Sequence, residues 1–174
     1  MLTTHYSNPQ SVVPFDVAMI TAATKTIDFA AYALDEPEII NALVAQANAG
    51  RAIRLYLDRT ELCAAARGDA TLSHSPFRAV LNNPNIQIKV KHSEILMHLK
   101  SYIVDATLLR DGSANFSIPG EEQQDNSILF TDDTQACTQF VSKFQQMWAR
   151  PDNLTVQQAV TQTPQRTTRP SHRH

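Results

Sequence analysis

Two apolar stretches joined by an amphipathic one constrain the fold more than any other feature of this chain. From Thr26 to Leu34 the run TIDFAAYAL is apolar nearly throughout, as in a strand covered on both faces within a sheet that has helices on each side. Asp35 then offers an N-cap, Glu36 and Glu38 fall in a first turn where the helix dipole favours anions, and Pro37 is tolerated there. Ile39, Ile40, Leu43, Val44 and Ala47 recur at helical spacing until Gly50 supplies a stop. Ile53, Leu55 and Leu57 alternate with Arg54 and Tyr56 in a second strand. A strand, a helix and a strand in this order predict two parallel strands with a helical crossover, the first lying centrally.

Further signals flank this unit. Val17, Ile20 and Ala23 mark a helix, preceded by a short strand at Thr3 to Tyr6. Between Leu62 and Leu81 the residues Gly68, Ser73 and Pro76 interrupt the pattern, and helix is expected only towards Phe77 to Leu81. Short strands are expected at Ile86 to Val90, Ile95 to Met97, Ser101 to Val104, Thr107 to Leu109 and Ser127 to Phe130. Asp132 and Asp133 open a last helix whose stripe is Ala136, Phe140, Val141, Phe144, Met147 and Trp148. The sum is an α/β domain with a mixed, largely parallel β-sheet flanked by helices on both faces. With 174 residues, 43% of them hydrophobic, the chain can bury one core. That domain is expected over residues 1–150. Residues 151–174 turn to Thr, Gln, Pro and Arg and are expected to form a disordered tail.

A net charge of -2 excludes a basic nucleic-acid-binding surface spread over the whole molecule, so any polyanion contact must be local. Cys63 and Cys137 stand in no metal or redox spacing, which fits free thiols and a reducing compartment. No apolar run reaches the length of a membrane span, and no basic, apolar and small-residue leader opens the sequence. The expectation is therefore no stable membrane insertion: cytoplasmic as the chain stands, periplasmic or secreted if a signal peptide has been removed.

Chemistry concentrates between Met97 and Asn126, MHLKSYIVDATLLRDGSANFSIPGEEQQDN. If His98 to Lys100 is extended, period-2 alternation puts His98 and Lys100 on one face and Leu99 on the other. Ser113 and Asn115 obey the same rule. An imidazole, an ammonium, a hydroxyl and a carboxamide on one surface make a nest for a phosphate group: the lysine neutralises phosphoryl oxygens while Ser113 and Asn115 donate hydrogen bonds. Gly112 lets backbone approach closely. Singly, His98 beside Met97 and Leu99 reads as a structural histidine; Lys100, Ser113 and Asn115 at the spacing of a known family reverse that reading.

His98, Lys100, Asp105, Gly112, Ser113 and Asn115 together resemble the H-x-K-x4-D-x6-G-S-x-N signature of the phospholipase D superfamily, matching every fixed position. The segment IDFAAYALDEPEIINALVAQANAGRAIRLYLD is similar to the strand-helix-strand preceding that signature in the superfamily's small bacterial nucleases. The resemblance implies that His98 attacks phosphorus to give a covalent phosphohistidine, with Lys100 and Asn115 holding the non-bridging oxygens and Ser113 assisting. A second histidine protonates the leaving oxygen and then activates water. This chain carries one motif, so the resemblance implies a homodimer in which each copy contributes its His98 to a shared active site. An acid placed after the G-S-x-N loop orients the imidazole in the family; Asp125 stands there, one methylene shorter than the family's glutamate, with Glu121 and Glu122 as alternatives. Asp105 is read as fixing the turn and strand pairing behind Lys100. No metal and no cofactor are called for.

Lys89, Lys91 and His92 form a basic cluster just before the motif. It reads either as a solvated strand edge or, with Arg54 and Arg59, as a contact to a nucleic-acid backbone. His5 is a weaker candidate for the pocket rim. Arg166, Arg169, His172, Arg173 and His174 read as a solvated end. The function expected is a metal-independent phosphodiesterase, a nonspecific endonuclease on DNA or RNA. Alternatives are a phospholipid phosphodiesterase with the same chemistry, which would want an apolar rim, and a non-catalytic nucleic-acid-binding dimer.

Overall fold

The computed structural model describes residues 1–161 except 67, 68, 70 and 94, so the basic residues of the tail lie outside the described residues. In chain order the elements are β1 (Leu2–Tyr6), α1 (Val13–Thr21), β2 (Thr26–Ala31), α2 (Pro37–Asn48), β3 (Ala52–Leu57), α3 (Arg59–Ala66), α4 (Arg78–Leu81), β4 (Ile86–Val90), β5 (Lys100–Val104), β6 (Leu108–Gly112), β7 (Ser127–Thr131), α5 (Thr134–Trp148) and α6 (Val156–Thr161). A π-helical turn spans Pro119–Gln123.

The strand-helix-strand unit forms as its pattern dictates. β2 and β3 pair in parallel, Ile27 opposite Ile53 and Ala31 opposite Leu57, and β2 is an interior strand. Glu36, not Asp35, is the N-cap of α2; its carboxylate accepts from the Glu38 N–H. The seven strands order as β1-β7-β6-β5-β2-β3-β4. The sheet is mixed, as expected, but its parallel part is confined to β2–β3 and β3–β4. All pairings from β2 outward through β5, β6, β7 and β1 are antiparallel; of these, β5 and β6 are joined by a turn too short for a crossover helix.

Period-2 alternation divides the core between two faces. Ile27, Phe29, Ile53, Leu55, Tyr102 and Val104 face α1 and α2, whereas Ala30, Tyr56, Ile103 and Leu109 meet Phe140, Phe144 and Met147 of α5. Helices therefore cover both sides of the sheet. The chain does not leave the domain at residue 151. Leu154 bridges to Val90 at the β4 edge, and Ala159 and Val160 of α6 are buried against the core. Ile95 to Met97 form a loop rather than a strand, and α3 occupies a stretch where no helix was expected. Both cysteines are free thiols. No helix among the described residues is long and apolar enough to cross a membrane.

Asp105 marks the far end of β5 from Lys100. Its carboxylate accepts from the backbone N–H groups of Thr24, Lys25 and Thr26 and from the Thr24 hydroxyl, at 2.7–2.9 Å. The residue has φ +52°, a conformation aspartate tolerates better than most residues. Burial is the largest single influence and raises the carboxyl pKa, but the hydrogen bonds together outweigh it and hold the group at about 2. A depressed folded-state pKa contributes stability that is present above the unfolded value near 4 and is lost as pH falls towards 2. Asp105→Ala is expected to lower the unfolding free energy by about 2 kcal/mol at neutral pH. Most of the deficit should be gone at pH 2, which urea denaturation at the two pH values would check.

Candidate active site

The two halves of the motif meet at the start of β5. Lys100 opens that strand opposite Ala31 of β2, while His98 sits in the loop leading into it and is exposed to solvent. The extended segment assumed for His98 to Lys100 thus begins only at the lysine. The side chains nevertheless converge. Lys100 Nζ donates to the His98 carbonyl oxygen at 2.8 Å and lies 4.6 Å above the Tyr32 ring. The His98 imidazole meets the same ring edge-to-face, with centroids 4.6 Å apart. Lys100 is only 6% exposed. Burial lowers its pKa, and Asp58 and Glu61 oppose that shift.

Asp58 ties the histidine loop to the end of β3. One oxygen accepts from the Thr60 and Glu61 N–H groups at 2.8 and 3.2 Å, and the other from the Met97 N–H at 2.7 Å. Tyr32 and Asp58 follow the carboxyl ends of neighbouring parallel strands, the place where open α/β sheets put ligands. That rule, applied to the strand-helix-strand unit, would have found both residues, which sequence reasoning missed.

The second half leaves β6 at Gly112, where φ is +154° and a Cβ would run into the Ser127 carbonyl oxygen and the Ile128 Cα. Only glycine lets β6 stay so close to β7 here. Ser113 Oγ accepts from the Ser127 N–H at 3.0 Å and donates to Asn126 Oδ1 at 2.9 Å. Asn115 follows with its carboxamide oxygen buried and without a hydrogen-bond partner. Buried polar atoms are normally paired, so this carboxamide is a group that a bound molecule can complete.

Arg110 of β6 holds the two halves together. It is completely buried, and its Nη1 donates both to the Lys100 carbonyl at 2.6 Å and to the Ala114 carbonyl at 3.2 Å. Its remaining nitrogens grip Asp16 of α1 at 3.1 and 3.0 Å and Glu121 at 3.0 Å, and its guanidinium lies over Phe116. Tyr102 donates its hydroxyl to Asp16 at 2.7 Å. Burial first, then the charge of Asp16, pushes the Glu121 carboxyl up to about 9, although Arg110 pulls the other way.

The acids expected to orient His98 are engaged elsewhere. Asp125 is exposed and accepts from Asn8 Nδ2 at 3.1 Å. Glu122 accepts from Ser11 Oγ at 3.4 Å. The π-helical turn directs Glu121 inward to Arg110, a better partner for a buried carboxyl than a solvent-exposed imidazole. Lys89 also moves out of the site. Its position opposite Tyr56 puts it on the α5 face, where Nζ donates to the Trp148 carbonyl at 2.8 Å and lies over the indole. Arg54 is likewise committed, bonding Asp28 bidentately at 2.7 and 2.6 Å between Phe144 and Trp148. Lys91 stays near the site, donating to the Leu96 carbonyl at 3.3 Å. Arg59 donates to the His92 carbonyl at 3.1 Å. His5 stacks on Phe15 beside β1.

This arrangement combines an exposed imidazole with a desolvated ammonium, which suits attack on a phosphorus whose oxygens need neutralising. Residues 17–148 match the model of the family described as "Cardiolipin synthase, PLD-like domain". Mitochondrial cardiolipin hydrolase of Xenopus laevis is 22% identical over 139 residues, 80% of this chain and 62% of that protein. The chain spans about three-fifths of the length of the curated relatives it matches. Among solved structures, Nuc of Salmonella typhimurium, a phospholipase D family member, is similar with a TM-score of 0.72 at 22% identity, covering 88% of this chain and 97% of that one. NucT of Helicobacter pylori gives 0.69 at 18% identity, covering 85% and 96%. With roughly three quarters of its length inside the family model and its fold shared with these two proteins, the chain belongs to the phospholipase D-like domain family of the phospholipase D superfamily.

Proposed function

We propose that the protein is a homodimeric phosphodiesterase that cleaves DNA or RNA without a metal ion. The observation that carries this reading is the joining of Lys100 and Ala114 on one Arg110 nitrogen. That link brings the imidazole, ammonium and carboxamide segments together, although the motif is split between a loop, β5 and the turn after β6. In the first step a ring nitrogen of one His98 forms a bond to phosphorus. The bond to the leaving oxygen breaks with its electron pair, and that oxygen takes a proton from the partner copy's equivalent imidazole. Water then attacks phosphorus, giving its proton to that second ring, and the nitrogen–phosphorus bond breaks. Lys100 and Asn115 hold the non-bridging oxygens throughout.

A partner must approach past His98, and exposed apolar residues flank the motif in sequence. Ile95, Leu96 and Ile118, on either side of the motif, are 77%, 44% and 44% exposed. On a two-fold interface the same patch meets itself, so aspartate at Leu96 and Ile118 would place like charges opposite one another. The double variant is expected to sediment as a monomer and to lose at least about tenfold in cleavage at equal protein concentration.

These exposed apolar residues, with the likeness to cardiolipin hydrolases, favour a second reading in which the scissile phosphodiester belongs to a phospholipid. One experiment separates them: incubation of the protein, with excess chelator, with single-stranded DNA, duplex DNA, RNA and cardiolipin-containing vesicles. Chelator-resistant cleavage of a nucleic acid supports the nuclease. Hydrolysis confined to the vesicles replaces it with the lipid reading.

A further inference from the structure

Beside Tyr32 a cavity of about 200 Å³ opens towards solvent. It lies below the roughly 300–1,000 Å³ typical of sites for drug-sized molecules, so it admits a single ring system. Leu34, Leu57, Leu62 and Phe77 supply its apolar surface, and Asp35, Asp58 and Glu61 its polar one. The cavity is joined to the catalytic groups by Tyr32, whose ring is 4.6 Å from both the His98 ring and Lys100 Nζ. Tyr32 therefore puts the cavity within one residue's width of the groups that would hold a phosphate.

The lining decides the chemistry. Three carboxylates repel a phosphate, so the backbone of a nucleic acid does not enter. Asp58 has both oxygens committed to backbone N–H groups. Glu61 accepts from the Tyr32 hydroxyl, and partial burial first, then the charge of Glu61, raises the Asp35 pKa. A ligand for this recess must therefore present a flat apolar body together with N–H donors.

Resting on the nuclease reading above, we propose that this recess receives the base beside the scissile phosphate and prefers guanine. Guanine offers a carboxylate two adjacent N–H donors on one edge. Adenine and cytosine offer one exocyclic amine. Thymine and uracil turn two carbonyl oxygens towards the acids, with a single N–H between them. Tyr32 provides the aromatic edge against which an unstacked base packs.

Sequencing the ends released from a randomised single-stranded DNA pool tests this. At one fixed position beside the cut, guanine should exceed thymine by about tenfold, the size of a good paired contact to a base edge. Glu61→Gln and Asp35→Asn should each reduce that ratio below about threefold, and for Asp35→Asn cleavage at sites lacking guanine should change by less than about twofold. Ends free of base preference in the parent protein overturn the recess and leave the nuclease standing, as does a preference that survives both substitutions. A parent protein that cuts no nucleic acid overturns both.

Discussion

Replacing His98 by alanine should abolish phosphodiester cleavage, a loss of at least about 10⁴-fold in turnover, because it removes nucleophile and general acid from the shared site at once. Stability should hardly change. The imidazole is exposed, and its one ring contact is the edge of Tyr32, so a shift within about 0.5 kcal/mol is expected. The two readouts together separate chemistry from folding. A mixing experiment then tests the dimer. If one site needs the histidines of both copies, random exchange of parent and His98→Ala subunits at equal amounts leaves about one quarter of the parent activity, because only homodimers of the parent are complete. Independent sites would leave about one half. Cleavage by the alanine variant above a hundredth of the parent rate would mean that His98 is not the nucleophile.

The parts of this fold legible in the sequence are those governed by local periodicity. β2, α2 and β3 follow from an apolar run, a helical stripe and an alternating strand, because both faces of that unit are buried and each position has to declare its side. The short strands after residue 107 are legible for the same reason. α6 was not. Its Thr and Gln content resembles a solvated tail, and only the edge position of β4 explains why Leu154, Ala159 and Val160 find a core to join. Within the site, His98, Lys100, Ser113 and Asn115 are marked by fixed spacing, whereas the fate of the acids depends on contacts distant in sequence. Glu121 was weighed as a partner for an imidazole because nothing nearby announces a buried guanidinium. Arg110 itself, between Leu109 and Asp111, looks like a solvent-facing residue on a short strand. Its partner Asp16 looks like an ordinary first-turn acid of a helix. Each is intelligible only through the other, 94 residues away.

Arg110 should accordingly dominate stability among the charged residues. Arg110→Met keeps the length of the side chain but leaves Asp16, completely buried, with the Tyr102 hydroxyl and Glu121 as its partners among the described residues. Removing one member of a buried charge cluster costs roughly 3–5 kcal/mol, because the remaining charge has no water to return to. For a domain of this size such a loss is a large fraction of the total. The carbonyls of Lys100 and Ala114 lose their common donor at the same time, so the two halves of the motif should drift apart. Activity should therefore fall at temperatures where the variant remains folded. Neutralising the acids separates these effects. Asp16→Asn and Glu121→Gln, added to Arg110→Met, remove the stranded charge and should recover a substantial part of the stability, since replacing a whole buried ion cluster by neutral groups is often tolerated. They cannot restore the donor to Lys100 and Ala114, so activity should stay low. Recovery of activity along with stability would show that Arg110 serves the fold alone, and that the alignment of Lys100 with Asn115 is maintained by the sheet without it.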